Sequence, residues 1–258
     1  MAGDSSKSKR ADQLLVEQNL AASRAQASRL IKADAVQVQQ AGQWQLVQKP
    51  SQPLFADSVL RVLDNTETQY VSRGGHKLAR ALDASNTIVD GCTALDVGQS
   101  TGGFTDCLLS RGARQVVGVD VGRDQLAERL RLDARVVCLE GINARNLPSE
   151  QLLAYAPGGF DLAVMDVSFI SQTLILPNLP DLLKPGGVLL SLVKPQFEVG
   201  KDNIGKGGLV RDERLYPAVQ DKIVRCLQSL DFTVQHYLPS PIEGGDGNRE
   251  FLVVARRS

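Results

Sequence analysis

The chain has 258 residues, of which 43% are hydrophobic and 22% charged, the composition of a soluble globular protein with room for one large and one small domain. Its 29 Lys and Arg residues balance 29 Asp and Glu residues, so the net charge gives no sign of a nucleic-acid partner. The distribution is uneven, because residues 1–80 carry 11 basic and 7 acidic side chains and residues 81–258 carry 18 and 22. The front of the chain is therefore basic and the remainder acidic.

Several classes of protein are excluded by what the sequence lacks. No apolar run approaches the roughly 20 residues of a membrane-spanning helix. Residues 1–10 are small, polar and basic with no apolar segment after them, which is not a signal peptide, so we expect a cytoplasmic location. Because the four cysteines form no Cys-x-x-Cys pair and only two histidines occur, we predict no metal site and reduced cysteines.

The first 63 residues predict a small α+β domain. Helical spacing of apolar residues indicates helices at 11–18 and 24–32, with Ser23 as the N-cap of the second. Short apolar segments at 36–38, 44–47 and 59–62 predict strands. We place a flexible tail at 1–9, the small domain at 10–63 and a polar linker at 64–70.

Residues 71–258 predict a second, larger domain of the α/β class. Apolar strands at 94–97, 116–119, 136–139, 162–165 and 188–193 alternate with helical segments such as 104–110 and 152–155. Uniformly apolar strands separated by helices indicate a parallel sheet covered on both faces. The chain ends with a predicted helix at 213–230 and strands at 232–238 and 250–255, the last pair predicting an antiparallel strand at the sheet.

A glycine-containing loop at residues 95–104 joins the first strand of this domain to its first helix, where doubly wound sheets bind ligands. Asp96 at the strand end can meet an ammonium group, and Asp120 at the end of the next strand can accept hydrogen bonds from ribose hydroxyls. Ser100 replaces the second glycine of the dinucleotide pattern Gly-x-Gly-x-x-Gly, so the loop fits S-adenosylmethionine, which has no phosphate, better than a dinucleotide. A tight turn without a ligand is the alternative.

The residues predicted to bind this cofactor follow the ends of the first four strands of the larger domain. Either Glu140 or Asn143 is expected at the adenine edge. The full set is Asp96, Gly98, Ser100, Thr101, Gly102, Gly103, Phe104, Asp120, Glu140, Asn143 and Asp166.

Six sequence blocks, in order along nearly the whole chain, resemble the TlyA family, some of whose members are called haemolysins. They are RGGHKL at 73–78, STGGFTD at 100–106, VDVG at 119–122, DVSFI at 166–170, VKPQFE at 193–198 and GLVRD at 208–212. The family is similar in its core to FtsJ/RrmJ-type 2′-O-methyltransferases. The resemblance implies a class I (Rossmann-like) S-adenosylmethionine-dependent methyltransferase sheet, for which a terminal antiparallel strand is typical, behind an S4-like RNA-binding domain.

The resemblance also implies a catalytic tetrad and a substrate. The tetrad falls on Lys77, Asp166, Lys194 and Glu250, and the implied reaction is methylation of the ribose of a cytidine in ribosomal RNA. Three positions depart from the family pattern: His76 between the glycine pair and Lys77, Gln99 within the cofactor loop, and Asp34 in a turn where S4-like domains often have glycine.

Lys194 is the candidate general base for removing the hydroxyl proton. A free lysine has a pKa of about 10.4, so it needs a lowered pKa to act as a base. Burial and the like charge of Lys77 favour this, whereas Asp166 and Glu250 oppose it, and the sequence does not decide between them. Taken singly, these residues also fit a surface ion pair or a strand cap.

Basic residues in two regions are the predicted contacts to ribosomal RNA or a ribosomal subunit. Contact with phosphates and with RNA shape is favoured over base reading, and solvated helix faces or a mobile loop are the alternatives. The predicted residues are Lys9, Arg10, Arg24, Arg29, Lys32 and Arg73, with Lys201, Lys206 and Arg211 in a glycine-rich loop.

The sequence leaves three other functions open. A non-catalytic RNA-binding or ribosome assembly factor would need the basic residues alone. A membrane-lytic haemolysin lacks support from any apolar segment, and an NAD-linked oxidoreductase is disfavoured by Ser100. We expect a monomer with no membrane partner.

Overall fold

The chain folds into two compact units, Met1–Gln69 and Tyr70–Ser258. A computed structural model describes residues 8–32, 35–40, 42–63, 69–244 and 247–258. Asp34, residues 1–7 of the predicted tail and residues 64–68 of the predicted linker lie outside the described residues. In the part of the chain that is described, no helix is long and apolar enough to cross a membrane.

The first unit combines two helices with two small sheets. Its elements are β1 (Ser8–Arg10), α1 (Ala11–Glu17), α2 (Arg24–Lys32), β2 (Val36–Gln40), β3 (Gln43–Leu46), β4 (Pro53–Phe55) and β5 (Leu60–Val62). Strand β1 pairs with β4, and β2 lies between β3 and β5 in a second antiparallel sheet. Apolar residues of the helices, such as Leu15 and Leu30, pack against Val36 in one core.

Both predicted helices and all three predicted strands of this unit are confirmed. The Ser23 hydroxyl caps α2 by accepting a hydrogen bond from the Gln26 amide at 3.2 Å. The predicted tail is wrong at its end, because Ser8 and Lys9 lie in β1. Strands β1 and β4 were not predicted, since each has only three residues and β4 begins at a proline, which leaves no alternating pattern.

The second unit is built on a seven-stranded sheet. Its helices are α3 (Gly74–Ser85), α4 (Gly103–Ser110), α5 (Glu128–Arg131), α6 (Ser149–Leu153) and α7 (Tyr216–Gln228). Its strands are β6 (Thr93–Val97), β7 (Gln115–Asp120), β8 (Val136–Glu140), β9 (Phe160–Met165), β10 (Leu183–Val193), β11 (Phe232–Pro239) and β12 (Phe251–Arg257).

The strands lie in the order β11-β12-β10-β9-β6-β7-β8, and β12 runs antiparallel to both of its neighbours. The pairs from β8 to β10 are parallel, which confirms the α/β prediction and the antiparallel last strand. Alternate residues of the apolar strands enter two cores: Leu95 and Ala163 on one face, Ala94 and Leu162 on the other. Strand order reverses between β6 and β9, so their carboxyl ends border a crevice where such sheets bind ligands.

Helix α3 is the main element that the sequence analysis missed. It begins with Gly74 and Gly75, residues that disfavour helices, and a Cβ at Gly75 would lie 2.3 Å from the Tyr70 ring. The close approach of Tyr70 requires glycine there, and packing of Leu78 and Leu82 into the core compensates for the weak propensity. This helix carries Lys77.

The predicted C-terminal helix at 213–230 is shorter than expected. A 3-10 turn occupies Glu213–Leu215, and α7 begins at Tyr216 with Pro217 in its first turn, where a missing amide proton costs nothing. Glu250, predicted to begin the last strand, instead lies one residue before β12.

Candidate active site

The crevice is formed where the loop after β6 meets the loop after β9. Gly98 has a φ of +88°, and a Cβ at this position would lie 2.3 Å from the Asp166 carbonyl oxygen. The Asp166 amide donates to the Val97 carbonyl at 3.0 Å, which holds the two loops together. Gly98 is therefore required for the approach of the segment that carries Asp166.

Asp120, at the end of β7, is held in a fixed orientation by two backbone donors. The Ser100 amide donates to Oδ2 and the Gly122 amide donates to Oδ1, each at 2.7 Å. Ser100 itself adopts a positive φ of 47° and its hydroxyl donates to the Gln125 side chain. The glycine-containing loop thus positions the carboxylate that the sequence predicted to meet ribose hydroxyls.

A cleft of about 540 Å³ lies at this point. This volume is within the range of sites that bind small molecules and cofactors. Five of the residues predicted to bind the cofactor line it, namely Gly98, Ser100, Asp120, Asn143 and Asp166, together with others that include Ile142, Arg145 and Phe169. We call it the cofactor cleft.

The other predicted cofactor residues lie behind the loop or beside it. Gly102 packs against Leu126 and Leu130, Gly103 packs against Ser72, and Phe104 is buried in the core. Glu140 accepts hydrogen bonds from the Asp124 amide and the Arg131 guanidinium, and Thr101 is exposed. These side chains hold the loop or face solvent, and of the two candidates for the adenine edge only Asn143 lines the cleft.

Asp96 is fully buried below the loop. Its Oδ2 accepts a hydrogen bond from the Thr105 hydroxyl at 2.7 Å, and Thr105 accepts one from Gln99 Nε2 at 3.0 Å. Its Oδ1 is buried and has no hydrogen-bond partner among the described residues. Burial raises the pKa of Asp96 to about 7, opposed in part by the Thr105 hydrogen bond.

Gln99, a departure from the family pattern, has a structural role. Its amide lies over Gly118, where a Cβ would come within 2.0 Å of Gln99 Cδ. Gln99 is buried, and its hydrogen bond to Thr105 extends the polar chain that ends at Asp96.

Two ion pairs bring the four predicted tetrad residues into one region. Lys77 on α3 pairs with Glu250 before β12, and both are almost fully buried. Burial raises the pKa of Glu250 above its ordinary value, although the Lys77 charge opposes the change.

The second pair joins Lys194, after β10, to Asp166, after β9. Lys194 Nζ lies 2.5 Å from Asp166 Oδ1, an ion pair that lacks the alignment of a hydrogen bond, since this oxygen has no hydrogen-bond partner among the described residues. Lys194 Nζ also donates to the Ser168 hydroxyl at 2.9 Å. Ser168 was not singled out by the sequence analysis.

A second cleft, of about 450 Å³, adjoins the cofactor cleft. Lys194 and Glu250 line it, and we call it the catalytic cleft. Ser168 and Phe169 line both clefts, so they form a shared wall. Phe169 is 90% exposed, has a positive φ of 65° and lies 5.2 Å from the Phe197 ring, centroid to centroid.

Glu198, in the VKPQFE block, connects the segments that follow the predicted tetrad residues Asp166 and Lys194. Its side chain is 1% exposed, and it accepts hydrogen bonds from the Gln172 amide at 2.7 Å and the Ser171 hydroxyl at 2.6 Å. Lys222 on α7 donates to the same carboxylate at 2.7 Å. The sequence analysis missed this residue because no sequence pattern indicates which residues contact it in the folded chain.

The basic residues predicted to meet RNA differ in their surroundings. Lys9 pairs with Glu17, while Arg10 and Arg24 both bind the buried Asp12 carboxylate. The hydrogen-bonded Arg10, assisted by Arg24, lowers the pKa of Asp12 to about 2. Arg29 and Arg73 are half-buried, and Lys32 is exposed.

Lys201, Lys206 and Arg211 are exposed on the loop beside the catalytic cleft, and they form no ion pair with any residue that the structure describes. This loop also supplies Ile204, Gly207 and Gly208 to the cleft lining. No group of residues that could hold a metal ion occurs within the described part of the chain.

Comparison with known proteins identifies the family. Residues 70–257, which contain both clefts, match the model of the family described as FtsJ-like methyltransferase. The chain belongs to the FtsJ-like methyltransferase family. A relative from Mycobacterium tuberculosis, the 16S/23S rRNA (cytidine-2′-O)-methyltransferase TlyA, is 42% identical over 247 residues, which cover 96% of this chain and 89% of TlyA.

Two solved structures share the fold of this chain. A haemolysin-named protein from Streptococcus thermophilus is 38% identical and superposes with a TM-score of 0.73, covering 97% of this chain and 89% of its own. An S-adenosylmethionine-dependent methyltransferase from Mesorhizobium loti shares the fold with a TM-score of 0.51 at 18% identity, covering 70% of this chain and 98% of its own. The protein is therefore a member of a methyltransferase family with the class I sheet predicted for it.

Proposed function

We propose that this protein transfers the methyl group of S-adenosylmethionine to the ribose 2′-hydroxyl of a cytidine in ribosomal RNA. The observation that carries the proposal is the Asp166–Lys194 ion pair. Asp166 lines the cofactor cleft and Lys194 lines the catalytic cleft, so the pair crosses the boundary between them. A reaction between a cofactor in one cleft and a hydroxyl in the other would occur beside this pair.

The residues of the cofactor cleft fit S-adenosylmethionine. Asp120 offers an oriented carboxylate for ribose hydroxyls, and Ile142 and Asn143 lie on the side suited to an adenine ring. S-adenosylmethionine carries a positive charge on its sulfonium group. Asp96 lies below the glycine-containing loop, and one oxygen of its buried carboxyl has no hydrogen-bond partner among the described residues. When bound, S-adenosylmethionine supplies an electrophilic methyl group.

The residues of the catalytic cleft suit the removal of a hydroxyl proton. S-adenosylmethionine bound in the cofactor cleft would supply the methyl group, and the Lys194–Asp166 pair would receive the proton that the 2′-hydroxyl loses. Lys194 can act as the base only after its ammonium has released its own proton to solvent, and Ser168 orients its nitrogen through their hydrogen bond. The Lys77–Glu250 pair forms the other half of the proposed tetrad, and both of its side chains are buried.

The surroundings of the catalytic cleft suit RNA. Lys201, Lys206 and Arg211 present cations for phosphates. The exposed Phe169 ring, backed by Phe197, offers a stacking surface for an unpaired base at the wall between the clefts. An RNA substrate fits these features better than a small metabolite.

The first unit is assigned, within this proposal, as an S4-like RNA-binding domain that tethers the enzyme to a large structured RNA. Two helices followed by a small antiparallel sheet support this, as do the accessible cations of Arg10, Arg24 and Lys32. Folded ribosomal RNA provides the phosphates that such cations bind.

The test is incubation of the protein with tritiated S-adenosylmethionine and with separate small and large ribosomal subunits that lack the modification, followed by nucleotide mapping. We expect label on the ribose of a cytidine. Lys194→Ala should abolish the label, while Lys184→Ala, whose lysine pairs with Asp161 at the other end of β9, should retain it. Absence of label in both subunits with the unaltered protein would overturn the proposal.

A further inference from the structure

The three-stranded sheet of the first unit has one face directed away from its core. Val36, Val38 and Leu60 point inward and are buried. Because side chains alternate along a strand, their neighbours point outward. The pairing register places Gln39 opposite Trp44 and Gln37 opposite Arg61, which gathers these outward side chains into one surface.

Arg61 is held flat on this surface. Its guanidinium carbon lies 4.1 Å from the centroid of the Trp44 ring, a cation–π contact. Its Nε and Nη2 both donate to Gln37 Oε1, at 2.9 and 2.6 Å. No carboxylate pairs with Arg61 among the residues that the structure describes. Among the described residues the guanidinium is therefore oriented by neutral partners, and its Nη1 donors have no hydrogen-bond acceptor there.

Apolar side chains border the stacked pair. Leu46 follows on β3 and is 37% exposed, and Val59, just before β5, is 54% exposed. We call Gln37, Trp44, Leu46, Val59 and Arg61 the Trp44 platform. It combines an aromatic ring, a planar cation and one side-chain amide, and none of these five residues is acidic.

We propose that the Trp44 platform binds an unpaired nucleotide of the ribosomal RNA substrate, with the base stacked on the Arg61–Trp44 pair and a phosphate bound by the free Arg61 donors. This inference rests on the proposed function and adds a contact site that lies outside both clefts. A planar guanidinium stacks on a base as readily as on an indole, and its donors match the geometry of a phosphate. A protein partner would most often bind the Arg61 cation with a carboxylate, which does not require a flat, stacked guanidinium. The stacked arrangement therefore favours RNA.

The chain offers a direct reporter, because Trp44 is its only tryptophan. The full-length protein is titrated with an unmodified ribosomal RNA transcript, free of ribosomal proteins, while tryptophan fluorescence is recorded. Stacking of a base on the platform quenches the emission, and the midpoint of the change should match the dissociation constant obtained with a labelled transcript. Unchanged fluorescence at a concentration that saturates the protein would overturn the inference.

Variants test whether the platform contributes affinity. Trp44→Ala and Arg61→Gln should each weaken transcript binding by about fivefold or more, and Trp44→Phe, which keeps a ring, by less. Gln45→Ala is the matched control, because Gln45 is exposed on the same strand but alternates to the other face. Circular dichroism and thermal midpoints confirm that each variant is folded.

The outcomes separate this inference from the proposed function. Failure of the unaltered protein to label either ribosomal subunit removes the proposed function. Labelling of a subunit together with equal transcript binding by the unaltered protein, Trp44→Ala and Arg61→Gln removes the platform alone, as does labelling of a subunit with no binding of the naked transcript. A fluorescence change that requires ribosomal proteins and is absent with naked transcript identifies a protein partner and also overturns the inference.

Discussion

The Lys77 ammonium and the Glu250 carboxylate form a buried ion pair between residues 173 positions apart in the chain. The pair joins helix α3 to the residue that precedes the last strand of the sheet, so it contributes to the fold as well as to the proposed tetrad. A buried pair that loses one partner leaves an uncompensated charge, which costs more than the pair itself contributes.

Lys77→Ala should therefore lower the free energy of unfolding by about 3 kcal/mol, measured by urea denaturation. The double variant Lys77→Ala/Glu250→Leu should regain much of that loss, because no buried charge remains. A single variant as stable as the unaltered protein would show that Glu250 is neutral or solvated. Because Lys77→Ala is expected to be less stable, any loss of its activity has to be compared with the fraction of the variant that remains folded.

Lys194 gives the clearer catalytic test, since its side chain is 13% exposed and its partner Asp166 is 24% exposed. Lys194→Ala should reduce the rate of methyl transfer by about 100-fold or more while changing the thermal midpoint little. Single-turnover assays with saturating S-adenosylmethionine measure the rate. A rate within a factor of three of the unaltered protein would remove Lys194 from the mechanism.

The raised pKa of Asp96 predicts that the stability of the protein depends on pH. Its folded pKa of about 7 exceeds the unfolded value, so the folded state holds a proton that the unfolded state has lost. The stabilisation is complete below about pH 4 and is lost as the pH rises towards 7, by about 1.4 kcal/mol per pH unit.

Asp96→Asn should remove this dependence, because an amide does not titrate. The difference in unfolding free energy between the two proteins, measured from about pH 4 to pH 8, should favour the variant increasingly as the pH rises. A constant difference across that range would mean that Asp96 ionises normally. The Thr105 hydroxyl still finds an oxygen acceptor in the variant, so the comparison is matched.

Glu198 is expected to act by positioning other residues. Glu198→Gln weakens the bond to Ser171, which joins the segment after Asp166 to the segment after Lys194, and the bond to Lys222 on α7. We expect kcat to fall about tenfold with little change in KM for S-adenosylmethionine, because misalignment affects the reacting geometry more than the cofactor cleft. Lys222→Met should have a smaller effect, since Lys222 is 41% exposed. Equal loss in kcat and in cofactor affinity would contradict this positioning role, because the cofactor cleft would then be disturbed as well.

The sheet was predictable because its strands are apolar on both faces, so burial appears directly in the sequence. Helix α3 was not, because Gly75 at its start is required by contact with Tyr70, and only the folded chain shows that contact. The three-residue strands β1 and β4 are too short for a pattern.

The candidate site was predictable as a set of residues but not as an arrangement. Similarity to a family identified Lys77, Asp166, Lys194 and Glu250, yet nothing in the sequence tells which lysine pairs with which carboxylate. The roles of Ser168 and Glu198 depend on distances between loops that follow different strands. Such relationships arise from the sheet order and become visible only in three dimensions.

The wall of Ser168 and Phe169 between the two clefts has a consequence for inhibitor design. A bisubstrate compound, with an adenosyl group on one side and a nucleoside on the other, would need only a short tether over these two side chains. Such a compound would engage both halves of the enzyme at once, and its selectivity would depend on the groups placed against the exposed aromatic ring.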